Sequence, residues 1–212
     1  HVAMAIWLLN ATAHPQAAPR HAGWLAALPT SYDCTIEWSD DELAQLQASA
    51  AAQRARQLRA WADAEHGRLF SHTLTSRPQW SQARFRWALC TVWSRSFHLQ
   101  QGSWRVLPPA ADFFNHAVAP GRPSAHLEVM TEDETSLDSH AASVGEGASD
   151  INPDGNGSRS ATVRFVAIRD LQRGEMIEID YGARANSEMV TTHGFAIFDN
   201  EHESLPLSLK PT

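Results

Sequence analysis

The sequence predicts an α+β protein with helices first and short strands after them. Two observations carry this. Up to about residue 97 the apolar residues recur at helical spacing in long Ala-, Leu- and Trp-rich runs, and beyond residue 104 they alternate in short segments set off by Pro, Gly and Asp turns. A third observation excludes the parallel α/β classes: no strand–helix–strand repeat occurs. At 212 residues the chain fits one domain, or one domain with an appendage, and is long enough for a substantial core.

Val2 to Leu9 reads as a buried helix end or strand and is far too short to cross a bilayer. A loop through Pro15 and Pro19 follows, then an apolar segment from Trp24 to Leu28 that Pro29 ends. Ser39-Asp40-Asp41-Glu42 has the S-x-x-E form of a capping box. It is expected to open one long helix reaching about His66, with Leu43, Leu46, Ala50, Leu58 and Trp61 as the apolar face. Pro78 punctuates the start of a second helix, roughly Trp80 to Phe97, in which Phe85, Leu89, Val92, Trp93 and Phe97 approximate helical spacing. Trp104 to Leu107, Ala125 to Met130 and Ala161 to Ile168 read as strands.

Near the C-terminal end, Arg173-Gly174-Glu175 forms a turn that feeds a strand with Ile177, Ile179 and Tyr181 on one face and Glu178 and Asp180 on the other. Gly182 breaks that strand. Asn186 is expected to cap a short helix, and Gly194 to end it in a left-handed conformation. Tyr181 is either a core tyrosine or a phenol held in a pocket.

The formal net charge is −7, unevenly placed. Between Thr131 and Ser160 stand seven acids (Glu132, Asp133, Glu134, Asp138, Glu146, Asp150, Asp154) and one base, Arg159, so this stretch carries −6 and the rest about −1. With almost no apolar residues, 131–160 is expected to be a disordered insertion, because burial cannot offset its ordering entropy. No basic stripe exists, so direct nucleic-acid binding is not expected. Cys34 and Cys90 form no C-x-x-C pair, which argues against a disulfide framework or a cysteine zinc site and fits a reducing, intracellular compartment: cytoplasm, nucleus or plastid. The eleven histidines are scattered, contain no H-E-x-x-H, and read as mostly surface residues. The start at His1 reads as a fragment beginning inside a domain.

No G-x-G-x-x-G stands at a strand–helix junction, since Gly155-Asn156-Gly157 lies in the acidic stretch. Walker A and G-x-S-x-G sequences are lacking too. These gaps argue against a Rossmann dehydrogenase, a P-loop enzyme and an α/β-hydrolase. The informative cluster is Asp112-Phe113-Phe114-Asn115-His116, which places a carboxylate, an amide and an imidazole within five residues. Asp112 and His116 could ligate a metal at i, i+4, but no third and fourth ligands suggest themselves, and a hydrogen-bonded turn without metal is the better expectation.

Four motifs in order are specific together: W-A-L-x-x-V-x-S-R-S-F at 87–97, D-x-x-N-H at 112–116, G-E-x-I-x-I-x-Y-G at 174–182 and N-x-E-x-V-x-x-x-G-F at 186–195. On these the chain resembles, essentially end to end, the SET-domain protein methyltransferases, in particular the branch typified by the Rubisco large-subunit lysine methyltransferase. The resemblance implies a fold of short β-sheets with a pseudoknot. It makes 1–80 a helical insertion that includes the W-x-x-x-L-P element at Trp24 to Pro29, 81–130 the core with the cofactor turn, 161–204 the C-terminal core, and 205–212 the start of a further domain. The family's G-x-G strand would precede residue 1.

The implied cofactor is S-adenosyl-L-methionine and the implied partner a protein substrate; no membrane partner is expected, and the protein is expected to be a monomer. Carried over by residue, Arg95, Asp112, Phe113, Phe114, Asn115, His116 and Phe195 would hold the cofactor. Tyr181 would be the catalytic tyrosine, and Phe97, Arg184 and His193 would face the acceptor side chain. The implied acceptor is lysine. Many lysine-methylating members, however, have tyrosine where this chain has His193. The actin-histidine methyltransferase branch also lacks that tyrosine and has a similar Y-G-x-R-x-N-x-E segment, matched here by Tyr181, Gly182, Arg184, Asn186 and Glu188. A histidine acceptor is therefore the alternative, and a degenerate module that binds protein without catalysing is the reading from another class.

Overall fold

The computed structural model describes residues 1–71, 78–99, 104–117, 123–131 and 161–204. The acidic stretch expected to be disordered lies outside the described residues except for Thr131, as does the C-terminal segment 205–212. The chain divides into two compact units, His1–Phe113 with Tyr181–Thr212, and Phe114–Asp180.

In the first unit, the N-terminal apolar run is a helix, α1 (Val2–Ala13), whose inward positions Ala5, Leu8, Leu9 and Ala11 follow the 3.6-residue period. Two single turns of 3₁₀ helix, Pro15–Ala17 and Pro19–His21, each begin with the proline. Proline has no amide hydrogen, and at a helix start that donor would go unused anyway. Helix α2 (Ala22–Ala27) buries Trp24 and Leu25.

The predicted long helix from Ser39 is instead two. The capping box forms: the Ser39 hydroxyl accepts from the Glu42 amide at 3.2 Å, and the Glu42 carboxylate accepts from the Ser39 amide at 2.6 Å. The helix it opens, α3 (Asp40–Gln45), stops after six residues. Gln47 takes a positive φ of 54°, and Ser49 then caps a new helix, α4 (Ala50–Phe70), accepting from the Ala52 amide at 3.2 Å. A second cap is available, so the chain breaks and re-aims rather than running straight. The inward face of α4 is correspondingly Ala52, Ala55, Ala62, His66 and Phe70, not the leucine and tryptophan face expected. Leu58 is half-buried and Trp61 exposed. Among the described histidines His66 is buried, an exception to the mostly-surface reading, with Nε2 2.8 Å from the Trp80 carbonyl.

Helix α5 (Gln82–Arg95), capped by Ser81, is the axis of the core. Its Phe85, Leu89, Cys90 and Val92 pack in one cluster with Leu8 and Leu9 of α1, Trp24 and Leu25 of α2, Ile36, and Ala62 and Phe70 of α4. Each large aliphatic or aromatic side chain so buried contributes about 1.5–3 kcal/mol. Cys34 and Cys90, distant in sequence, are free thiols in this same core. Burial, and then Cys34 beside it, push the Cys90 thiol well above its ordinary pKa. The helix ends at Arg95, so Phe97 is not on it. Phe97 opens strand β1 (Phe97–Leu99), antiparallel to β2 (Trp104–Val106) with Phe97 opposite Val106.

The last helix, α6 (Asn186–His193), starts at the residue predicted to cap it, one position earlier than expected. Ala185 is the non-helical residue. Asn186 is inside the helix and spends its amide on Ile197, donating to the carbonyl at 3.0 Å and accepting from the backbone N–H at 2.8 Å. Its side chain pins the segment beyond the helix instead of capping it.

The second unit holds two pairings. Strand β3 (Asn115–His116) runs parallel to β6 (Glu178–Ile179), and β4 (Ala125–Thr131) pairs antiparallel with β5 (Ala161–Ala167). The strand expected to follow the Gly174 turn and run to Tyr181 is only two residues long. Gly174 sits at φ 87° in a turn closed by the Glu175 amide on the Gln172 carbonyl at 3.0 Å, and ladder pairing begins only at Glu178. Ser124 extends β6: its amide donates to the Glu178 carbonyl at 2.8 Å, and its hydroxyl accepts from the Glu178 amide at 2.8 Å.

Candidate active site

Arg95 stands at the C-terminal end of α5, where the helix dipole favours a cation. Its Nη1 donates to the Asp112 carboxylate at 3.0 Å and to the Asp112 carbonyl at 3.1 Å, and its Nε donates to the Tyr32 hydroxyl at 3.1 Å. The other Asp112 oxygen accepts from the Trp24 indole at 3.0 Å. The Asp112 side chain is fully buried. Both of its oxygens are thus engaged within the protein, as a buried carboxylate requires. This lock fixes the 3₁₀ turn Ala111–Phe113, which follows Ala110 at φ 73°. It presents the Phe113 ring, 45% exposed, 5.3 Å from the Arg95 guanidinium.

Tyr181 is half-buried, and burial raises the pKa of its phenol. Among the nearby charges Arg95 pulls the other way and Asp112 adds to the rise. The group is a neutral phenol at physiological pH. Its ring lies 5.2 Å from the His193 imidazole at an interplanar angle of 35°, and Phe195 meets the same imidazole edge-on at 6.2 Å. The Arg184 Nε donates to the Tyr181 carbonyl at 2.9 Å, and Arg184 Nη1 pairs with Glu188 one helical turn on.

The His193 ring is held by its neighbour. The Thr192 hydroxyl lies 2.8 Å from the Glu188 carbonyl and 2.8 Å from His193 Nδ1. The hydroxyl thus links the imidazole to the backbone of α6 and holds the ring in place.

Gly194 ends α6 at φ 81°, as its sequence position suggests, with its amide on the Met189 carbonyl at 3.1 Å. A methyl group there would come within 2.7 Å of Asp33 Cβ and closer still to the Asp33 carbonyl oxygen, so glycine serves twice at this position.

The first unit therefore brings together Arg95, Asp112 and Phe113 in one cluster and Tyr181, Arg184, His193 and Phe195 in another, with half-buried Phe97 opening β1. Phe114, Asn115 and His116 belong to the second unit. Phe114 packs edge-on against Phe165 at 5.1 Å, the Asn115 amide donates to Met176 Sδ at 3.2 Å, and His116 lies opposite Ile179 in the parallel pair. Sequence reasoning missed Tyr32, the hydroxyl partner of Arg95. Its signal is scarcity: the chain has two tyrosines, Tyr32 and Tyr181, and charges of the same Arg95–Asp112 lock act on both. Among the described residues no group of three or more His, Cys, Asp or Glu could hold a metal, and no helix is long and apolar enough to cross a membrane.

Compared with solved structures, the chain superposes on Rubisco LSMT bound to AdoMet with a TM-score of 0.61 at 19% identity, covering 91% of this chain and 38% of that one. It superposes on the SET domain of LSMT bound to lysine and AdoHcy with a TM-score of 0.58 at 21% identity, covering 83% and 36%. The chain has the SET fold. Among curated proteins, this SET chain is 25% identical over 193 residues to the chloroplastic [fructose-bisphosphate aldolase]-lysine N-methyltransferase of Arabidopsis thaliana, covering 88% of the chain and 36% of the relative. It is 24% identical over 221 residues to the actin-histidine N-methyltransferase of Danio rerio, covering 99% and 32%. The chain spans about a third of the length of the curated relatives it matches. No family model matches it.

Proposed function

We propose that this SET chain is the core of an S-adenosylmethionine-dependent protein methyltransferase whose acceptor is a lysine side-chain amine. The observation that carries the reading is Tyr181: within a SET fold, the tyrosine of the G-E-x-I-x-I-x-Y-G motif is held as a neutral phenol against the His193 ring.

The residues of the first unit suit a flat aromatic base beside a cationic centre. Phe113 offers an exposed ring face braced by Arg95, and Tyr181, His193 and Phe195 supply aromatic surfaces that attract a cation. S-adenosylmethionine, when bound, supplies an electrophilic methyl group on a sulfonium. Arg95, Phe113 and Phe195 are assigned to holding it. Asp112 acts through Arg95 and the turn, because its carboxylate is already engaged. Phe114, Asn115 and His116 are assigned on the sequence motif alone.

A lysine acceptor must arrive as a neutral amine, and burial depresses its pKa toward that state. The Tyr181 phenol can donate to or accept from the amine, but with its pKa raised it does not serve as the base. The His193 ring stands beside Tyr181 where many relatives have a phenol. Phe97 and Arg184 are assigned to the acceptor side.

A histidine acceptor is the second reading. It is favoured by His193 standing in place of that phenol and by the Tyr181-Gly182-x-Arg184-x-Asn186-x-Glu188 segment. The test is calorimetry of S-adenosylmethionine on the full-length protein, then transfer of labelled methyl to cell-extract proteins with mass spectrometry of the product. Binding with methyl-lysine supports the proposal, and methyl-histidine moves it to the second reading. No cofactor binding rejects the enzymatic reading.

A further inference from the structure

Helices α4, α5 and α6 and strands β1 and β2 line an open cavity of about 470 Å³ that borders the acceptor side at Arg184 and otherwise consists of residues without a part in the methyl-transfer reading. Its walls include Arg54 and Trp61 of α4, Trp93 of α5, Arg105 of β2, and Arg184 and Glu188 at α6. We propose that this cavity docks an acidic segment of the protein substrate, its carboxylates paired with Arg105, Arg54 and Arg184. The inference rests on the methyltransferase reading and adds a substrate feature to it.

Charge is the first reason. Three guanidinium groups face one carboxylate, and Glu188 is already paired with Arg184. Among the described residues no carboxylate lies within ion-pair distance of Arg54 or Arg105; Arg105 is tied instead to Ser96 and His98. Arg105 is held below its ordinary pKa, first by burial and then by Arg184. His98, also in the wall, is lowered by burial and by the same two arginines. A local cationic excess of this kind inside a chain of net charge −7 is opposite to its composition, and an incoming anion would relieve it.

Shape is the second. The Trp61 and Trp93 rings lie 6.1 Å apart and form an aromatic wall against which side-chain stems and peptide planes can pack. The volume falls in the range of roughly 300–1,000 Å³ usual for ligand pockets, well beyond what one phosphate fills. A short peptide bearing carboxylates suits both the arginines, which take carboxylates in fork geometry, and the indoles.

Position is the third. Two residues of the wall touch the acceptor end of the site directly. Arg184 donates to the Tyr181 carbonyl at 2.9 Å, and Thr192 holds His193 Nδ1 at 2.8 Å. An occupant that pairs with Arg184 therefore bears on the residues assigned to the acceptor.

The experiment titrates the full-length protein with a blocked tetraglutamate peptide, a blocked tetraglutamine peptide and inorganic phosphate, following tryptophan fluorescence and heat. Tetraglutamate is expected to bind with salt-sensitive affinity and tetraglutamine not to bind. Arg105→Gln and Arg54→Gln should each weaken tetraglutamate by ~10-fold or more, the loss of one charge-assisted contact, while S-adenosylmethionine affinity stays unchanged. Because Arg105 also ties β1 to β2, Arg54→Gln on the exposed side of α4 guards against misfolding of the first variant. Equal binding of the two peptides overturns the proposal. So does phosphate binding without tetraglutamate binding, or undiminished tetraglutamate binding in both variants. Tetraglutamate binding without any S-adenosylmethionine binding would reject the methyltransferase reading and leave an acidic-peptide site. The reverse pattern would reject only the docking site.

Discussion

Arg95 grips Asp112 twice, donating from one nitrogen to its carboxylate at 3.0 Å and to its main-chain carbonyl at 3.1 Å. The pair joins the end of the core helix to the turn that displays Phe113, and the Trp24 indole closes it from the other side. Removing one partner of a buried pair strands the other charge, which costs more than the pair itself contributes. Asp112→Ala is therefore expected to destabilise the protein by about 3–5 kcal/mol in urea denaturation. A loss under ~1 kcal/mol would mean that the lock is open to solvent.

Tyr181→Phe removes one hydroxyl and keeps the ring that packs on His193. Turnover should fall by about 100-fold, as for the loss of one positioned donor at a reacting centre, with S-adenosylmethionine affinity changed little. Steady-state kinetics beside calorimetry checks this, and equal losses in both would contradict the assigned role.

The two phenols give a pH signature. Burial is the largest cause in both Tyr32 and Tyr181, and both folded pKa values lie above the ordinary 10.0. The folded state thus holds these protons more tightly than the unfolded chain. The associated stability is complete below pH 10 and is lost as pH rises through the folded values. Absorbance at the tyrosinate band should rise at higher pH in native protein than in urea-unfolded protein, and coincident curves would refute the burial argument.

Gly194→Ala should be costly for two independent reasons, a left-handed backbone and a methyl group driven into Asp33. The expected loss is at least about 2 kcal/mol, read as a lowered Tm. An unchanged Tm would show that the 31–38 segment can move away from α6.

His193→Tyr restores the phenol that many lysine-methylating relatives place there. It should raise methylation of lysine relative to histidine in a peptide competition assay, because it supplies the phenol that can align a lysine amine. No change in that ratio would separate His193 from acceptor choice.

Local signals survived wherever the information was local. The Ser39–Glu42 capping box and the left-handed Gly194 are as the residues suggest, since each depends on a few neighbouring atoms. Long-range competition changed the rest. The single helix from Ser39 gave way to two because Ser49 offered a second cap and the core accepted alanines. Asn186 left its expected cap position because Ile197 supplied better-placed backbone partners. Phe97 moved from helix to strand because β2 was there to pair with it.

The sequence by itself determined the class of the protein: helices before short strands, four ordered motifs, and through them the likeness to SET methyltransferases, with Tyr181 as the residue to watch. Those are properties of spacing and residue type, which the chain carries without folding. Only the tertiary structure decided what the charged groups are engaged with. It set Asp112 between Arg95 and Trp24, brought Tyr32 to the same arginine, held the His193 ring through Thr192, and gathered Arg54, Arg105 and Arg184 around one cavity. Such pairings join residues far apart in sequence, and their energies depend on burial, which no local pattern encodes.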